Sequence, residues 1–343
     1  MTTATATTPV LWYRDLISCL QSTLATALLR EGHEPLDVLG AHWEFLFKPG
    51  DVTSEEFYYP CRHPGDLGRS LAPHHGLTTR WHHPADPADP LEDLRRALTD
   101  GRWPIIAVDN FHLPFRPAYQ DVHAAHLIVV YGLDEAAGKA YVSDAMPPAH
   151  AGPIPVPALL DAWTSANPKD VQDAFFSDSA IGGRYLTVSV APDLPETDRA
   201  FVGRVLASNV AGFEAARDDS GWGGLAGVRA FVGGLVERAA GGDAGALEEA
   251  YPFGWGMQAQ AALHAEFLRS CGMRWKEPVL REAGRLVEHV AHAWTGVRIT
   301  AAHGRRAPVA AARDLARHGG RLVAAYEAAV AGLREAAGSG AAL

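Results

Sequence analysis

Three cysteines in 343 residues, Cys19, Cys61 and Cys271, are too few and too scattered for a disulfide framework. None forms a CxxC pair, so neither a stapled secreted scaffold nor a structural zinc finger is encoded, and no metal is expected. Positive charge is also scarce. The 30 Lys and Arg residues face 40 Asp and Glu, giving a net charge of −10 and removing the basic footprint that general nucleic-acid binding needs. No apolar run approaches the length of a membrane span, and MTTATATTPV lacks the basic and apolar regions of a signal peptide, so a cytoplasmic protein is expected. There is no phosphate-binding loop, no G-x-G-x-x-G after a strand and no internal repeat, so nothing supports a nucleotide cofactor. What remains is an ordinary globular composition, 48 % hydrophobic and 20 % charged, over a length that accommodates two domains.

Within that frame one stretch carries chemistry. In DLISCLQSTLATALLR, Ser18 and Gln21 have the S-x-x-Q spacing of a capping box, which makes Cys19 the first residue of a helix. Leu20, Leu24, Ala27 and Leu28 recur at helical spacing, and Gly32 marks the stop. A thiol at a helix N-terminus lies among unpaired backbone N–H groups and the positive end of the macrodipole, and both favour the thiolate. The same N–H groups suit an oxyanion. Free cysteine is also at home as a small buried apolar filler, so the helix start alone leaves both roles open.

The chain then passes through the aromatic run HWEFLF, which packs on the first helix or starts a strand. A polar segment rich in Pro and His follows over 51–93, including His63, His74, His75, His82 and His83. Adjacent histidines point in different directions and seldom share one ion, so this segment reads as a cover over a pocket or a small αβ insertion. A short helix is expected over 90–98 and a buried strand over 104–109, with a Pro-broken loop over 110–119. Two β-rich runs, 126–134 and 140–144, flank a Gly-containing turn and predict an antiparallel hairpin. If Leu133 faces Lys139, Asp144 is a diagonal neighbour of His126 on one face. A shift of the register by two places them directly opposite, whereas an odd shift sends them to opposite faces. A Pro-rich bend over 147–157, a helix from Val156 and a closing strand over 184–193 complete the β-containing half. Beyond a Pro-rich boundary at 192–196 the chain is Ala-rich, with helices over 197–217, 225–238, 256–269, 276–294 and 308–337 and no strand signal. We therefore expect an α+β domain with an antiparallel sheet over 1–194 and an all-helical domain over 195–343. The helical domain would complete the pocket, dock a carrier protein or support a homodimer.

Cys19, His126 and Asp144 follow the order of a thiolate nucleophile, its base and the orienter of that base, which is the papain-like order. The stretches SCLQSTLATALLREG, VDNFHLPFRPAYQDVHAAHLIVVYGLD and YVSDAMPP resemble the amino-terminal domain of the butirosin biosynthesis protein H family, a papain-like group of cysteine acyltransferases. GWGGLAGVRAFVGGL and MQAQAALHAEFLRSCG are similar to the helical domain that accompanies it. The resemblance implies transfer of an acyl group from the phosphopantetheine thioester of an acyl or peptidyl carrier protein to a small amine, with no bound cofactor. It makes Cys19 the nucleophile, His126 the general base and acid, and Asp144 the orienter. A thioesterase, cyclase or peptidase would use the same three residues, and a non-catalytic carrier-binding partner would need none of them. Many papain-like hydrolases have a Gln shortly before the nucleophile. Here Tyr13 and Arg14 stand there and Gln21 follows, which turns attention to the Cys19 N–H as oxyanion donor. Gln21, Asp109, Asn110, Tyr119 and His123 are the candidate substrate-binding residues, with His123 also a competing base. Arg313, Arg317 and Arg321 recur every four residues and form one basic stripe, read as a solvated helix face or a dock for an acidic carrier.

Overall fold

The computed structural model describes residues 7–48, 56–86, 88–215, 217–218 and 221–339. In chain order the elements are α1 (Cys19–Arg30), α2 (Pro35–Leu39), β1 (Leu46–Phe47), α3 (Leu67–Leu71), β2 (Leu77–His82), α4 (Leu91–Thr99) and β3 (Ile105–Asp109). Next come β4 (Ala125–Asp134), β5 (Lys139–Asp144), β6 (His150–Pro155), α5 (Val156–Thr164) and β7 (Tyr185–Val190). They are followed by α6 (Arg199–Glu214), β8 (Arg217–Asp218), β9 (Gly221–Gly223), α7 (Gly224–Ala240), α8 (Ala244–Arg274), α9 (Pro278–Gly304) and α10 (Pro308–Gly338). Two compact units result. The first takes the chain through Glu34 with Gly65–Gly68 and Leu77–Val190, and the second takes Pro35–Pro64, Arg69–Gly76 and the chain from Ala191.

The first unit is built on a six-stranded sheet in the order β2-β7-β3-β4-β5-β6, antiparallel at every step. β3 is buried throughout and β4 nearly so, and both therefore read as continuous apolar runs rather than alternating ones. Leu91 and Leu94 of α4 and Leu159, Ala162 and Trp163 of α5 pack with Ile106, Val108, Ile128, Val130 and Val142. Trp163 fits there because its indole N–H donates to the Arg184 carbonyl at 3.0 Å. α1 packs against β4, with Leu20, Leu24 and Leu28 buried. Each such leucine contributes about 1.5–3 kcal/mol of burial, which holds the helix and hence its first residue in place.

The sheet is larger than the sequence reading because two strands lack the expected pattern. Leu77–His82, inside the segment read as a cover, pairs along β7 from Leu77↔Val190 to His82↔Tyr185. The segment is thus a small αβ insertion over much of its length, β7 is interior, and β2 is the outer strand. Residues 51–55 and 87 of that segment lie outside the described residues. Its histidines are dispersed: His74 lies 5.8 Å from His42, while His82 bonds Thr187 and stacks on Tyr185. Among the described residues no three His, Cys, Asp or Glu side chains form a metal-ligand group. At the other edge, the stretch read as a Pro-rich bend contains β6, where Pro153 and Pro155 are tolerated because an edge strand has donors to spare.

The β4–β5 hairpin decides the site. Near the turn, Asp134 faces Lys139, Leu133 faces Ala140 and Gly132 faces Tyr141. Continued unchanged, that register would place His126 and Asp144 on opposite faces. A bulge at Tyr131 shifts it by one, so Val130 faces Val142 and Val129 faces Ser143. Asp144 then becomes the diagonal neighbour of His126, although Leu133 faces Ala140 rather than Lys139.

The second unit contains α6 to α10, one for each expected helix, although α8 starts at Ala244 rather than 256 and α9 runs to Gly304 rather than 294, with α9 packed along both α8 and α10. The HWEFLF run starts a strand: β1, β9 and β8 form a small antiparallel ribbon inside this otherwise helical unit. The strands are two or three residues long, too short for a periodic signal. Trp43 stacks on Tyr326 with ring centroids 5.5 Å apart, and Trp294 donates to the Tyr326 hydroxyl at 3.0 Å. No helix among the described residues is long and apolar enough to cross a membrane.

Candidate active site

The capping box forms as the spacing predicts. Ser18 is the extended N-cap of α1, its hydroxyl accepts from the Leu20 N–H at 3.2 Å, and Gln21 Oε1 accepts from the Ser18 N–H at 3.2 Å and from the Ser18 hydroxyl. Gln21 is buried inside this cap, and its Nε2 has no partner among the described residues. The Cys19 carbonyl accepts from the Ser22 and Thr23 hydroxyls at 3.1 and 2.8 Å. The cap engages the Leu20 N–H and leaves the Cys19 N–H directed out of the helix end. Of the three cysteines, Cys19 is the partly exposed one, whereas Cys61 and Cys271 are buried. Burial pushes the Cys61 thiol far up and Cys271 to about 12, so both stay protonated and inert.

The imidazole of His126 joins Cys19 to Asp144. Its Nε2 lies 2.7 Å from Asp144 Oδ2, and the Cys19 side chain is near enough to the same ring to favour its charged form. His126 is 6 % exposed and the Asp144 side chain fully buried. Burial alone pulls His126 down. The Asp144 carboxylate and the Cys19 sulfur oppose it through charge and hydrogen bonds, and the result is raised to about 9. Burial likewise pushes Asp144 up, but His126, Arg116 and the Met146 N–H outweigh it and hold the carboxyl below its usual range. The Met146 N–H donates to Asp144 Oδ1 at 2.8 Å, which fixes the carboxylate plane. The arrangement stores a proton on a buried imidazole between a sulfur and a carboxylate, as nucleophilic acyl chemistry requires.

Sequence reasoning missed Arg116. Its Nη1 lies 3.0 Å from the Asp144 oxygen that His126 uses. The residue sits in the loop after β3, and no local pattern links it to a carboxylate across the sheet. Two of the other sequence candidates, Asp109 and His123, form a second group. Asp109, fully buried at the end of β3, accepts from His123 Nδ1 at 2.7 Å, Ser165 at 2.7 Å, and the Phe111 and Ala124 N–H groups at 3.0 and 3.2 Å. The His123 ring stacks on Phe111 at 4.2 Å. The Asn110 N–H donates to the Ala124 carbonyl at 3.0 Å, while its Oδ1 is buried without a partner among the described residues. Tyr119 is exposed, with its hydroxyl accepting from Gln120 at 3.3 Å. Arg313, Arg317 and Arg321 are all exposed on α10, with Arg317 3.0 Å from Asp314.

Comparison with known proteins brings the geometry and a family together. No curated protein matches the chain. Residues 18–145 match the family model described as butirosin biosynthesis protein H, N-terminal. The match opens on the N-cap of α1 and closes one residue past Asp144, enclosing Cys19, His126 and Asp144. Residues 18–145 are thus similar to the butirosin biosynthesis protein H N-terminal family, a papain-like family with a biosynthetic, acyltransferase-like role.

Proposed function

We propose that this protein is a cysteine-dependent acyltransferase. It moves an acyl group from a carrier-protein phosphopantetheine thioester to a small amine through an acyl-Cys19 enzyme. The observation that carries this reading is the single imidazole bonded to Asp144 at 2.7 Å, whose charged form is also favoured by a partly exposed thiol at a helix start. Attack proceeds from the form in which Cys19 is the thiolate and His126 the imidazolium. The thiolate adds to the thioester carbonyl, and the oxyanion that forms is stabilised by the backbone N–H of Cys19. Collapse expels the pantetheine sulfur, which leaves as a thiol with the His126 proton. The neutral imidazole then accepts a proton from the attacking amine, and the C–S bond of the acyl-enzyme breaks to release an amide. Thioester and acyl-enzyme are both thioesters, so acylation is nearly balanced in energy, and amide formation drives the sequence forward. The stripe of Arg313, Arg317 and Arg321 is our candidate dock for the acidic carrier.

Intact mass after mixing with an acyl-pantetheine thioester tests the reading. We expect an acyl adduct on the wild type and none on Cys19→Ala. Absence of an adduct on the wild type sinks the enzymatic proposal. Addition of amines then separates transfer, which yields amide, from hydrolysis, which yields free acid.

A further inference from the structure

Asp144 Oδ2 serves two cationic partners at once. It lies 2.7 Å from His126 Nε2 and 3.0 Å from Arg116 Nη1, and the Arg116 side chain is only 13 % exposed. The same Nη1 reaches the carbonyls of Met146 and Pro147 at 3.2 and 3.4 Å. Arg116 Nε is buried without a partner among the described residues. The guanidinium is therefore spent on the Asp144 carboxylate and the turn that follows it.

We infer that Arg116 is a positioning residue of this site: by sharing Asp144 Oδ2 with His126, it limits how tightly the carboxylate holds the imidazolium and so keeps the neutral, proton-accepting imidazole accessible when an amine attacks. The inference rests on the acyl-transfer reading above. When Cys19 is the thiolate, the His126 proton is held from two sides, by Cys19 and by Asp144. Acylation removes the sulfur charge, and Asp144 alone continues to draw a proton onto the ring. Amide formation needs that proton absent. The acceptor nitrogen forms the C–N bond, its N–H proton passes to His126 Nδ1, and the C–S bond breaks with its electron pair returning to Cys19 Sγ. Thiolate and imidazolium are thereby restored.

A buried carboxylate facing only an imidazole favours the imidazolium far into the alkaline range, and a second cation on the same oxygen opposes this. The groups that face the pair are Cys19 of α1, Asp144 of β5, Arg116 of the loop after β3, and His150 of β6, which pairs with Asp144 across the sheet. Burial lowers His150 below its usual range, so it adds no fixed charge at neutral pH. Arg116 is left as the permanent cation.

A purely structural clamp on the turn after Asp144 predicts something different: any replacement would disturb the site, and the titration of a correctly folded variant would not move. The two are separated by NMR titration of the His126 ring in the full-length wild type, Arg116→Met, Arg116→Gln and Arg116→Lys. Removing the charge is expected to raise the His126 midpoint by about one pH unit, a tenfold tighter hold on the proton. Lysine is expected to restore it, because all three contacts of Arg116 come from one nitrogen. Arg116→Gln retains a donor for the carbonyls and so guards against loss of the turn. With preformed acyl-enzyme at pH 7, aminolysis should fall about tenfold in Arg116→Gln while acylation persists. An unmoved His126 midpoint in the folded uncharged variants, or a shift that lysine does not reverse, overturns the inference. The titration is read on unacylated protein, so a wild type that forms no acyl-enzyme counts against the acyl-transfer reading and not against this one.

Discussion

At neutral pH the His126 imidazole is expected to carry its proton, and replacing Asp144 by Asn should take that proton away. Raising the ring from 6.5 to about 9 corresponds to roughly 3 kcal/mol of preference for the charged form. Burial works against that preference, so the carboxylate and the sulfur must supply more than the net. The Asn side chain keeps the shape and leaves His126 buried with only the Cys19 sulfur to favour its charged form, so its midpoint should fall well below that of the wild type. The sign for stability follows by linkage. A group whose folded value is raised contributes fully below its unfolded value, here near 6.5, and loses that contribution as pH rises through about 9. The wild type should thus lose up to roughly 3 kcal/mol of local stability across that window, and Asp144→Asn should lose much less. NMR of the histidine rings gives the two midpoints, and native-state hydrogen exchange of β4 and β5 amides at pH 6 and 9.5 gives the stability change. The reasoning is refuted if His126 titrates at the same pH in both proteins, or if the wild-type ring titrates near its ordinary value.

Three further outcomes are expected. Iodoacetamide at neutral pH should modify Cys19 in the native protein and spare the buried Cys61 and Cys271, as peptide mapping would show; comparable labelling of all three counts against the assignment. His126→Asn should slow acyl-enzyme formation about a hundredfold or more. His123→Asn, whose amide retains a donor to Asp109, should leave acylation nearly intact, and the reverse ranking would make His123 the base. Changing Arg313, Arg317 and Arg321 together to Glu should raise KM several-fold for a carrier-borne donor at low salt while leaving a free pantetheine donor unaffected; equal effects on both donors remove the docking role.

The amino-acid sequence by itself determined the local parts of this protein. The Ser18–Gln21 box, the apolar repeat of α1, the unbroken apolar runs of β3 and β4 and the five long helices are all signals carried within a few residues. Local sterics and burial are enough to specify them, and they place Cys19 on the first turn of its helix. Strands with weak signals were legible only in part: β2 takes its place from β7 and β6 from β5, and neither prolines nor a His-rich setting announce a strand. The pairing of His126 with Asp144 belongs to the tertiary structure. A turn-set register puts them on opposite faces, and the bulge at Tyr131 corrects it, because one extra residue in a ladder of period two exchanges the faces. Arg116 and the Asp109–His123 contact are likewise products of the folded loop after β3. No spacing rule predicts them, since a charged side chain finds its partner through the sheet and not along the chain.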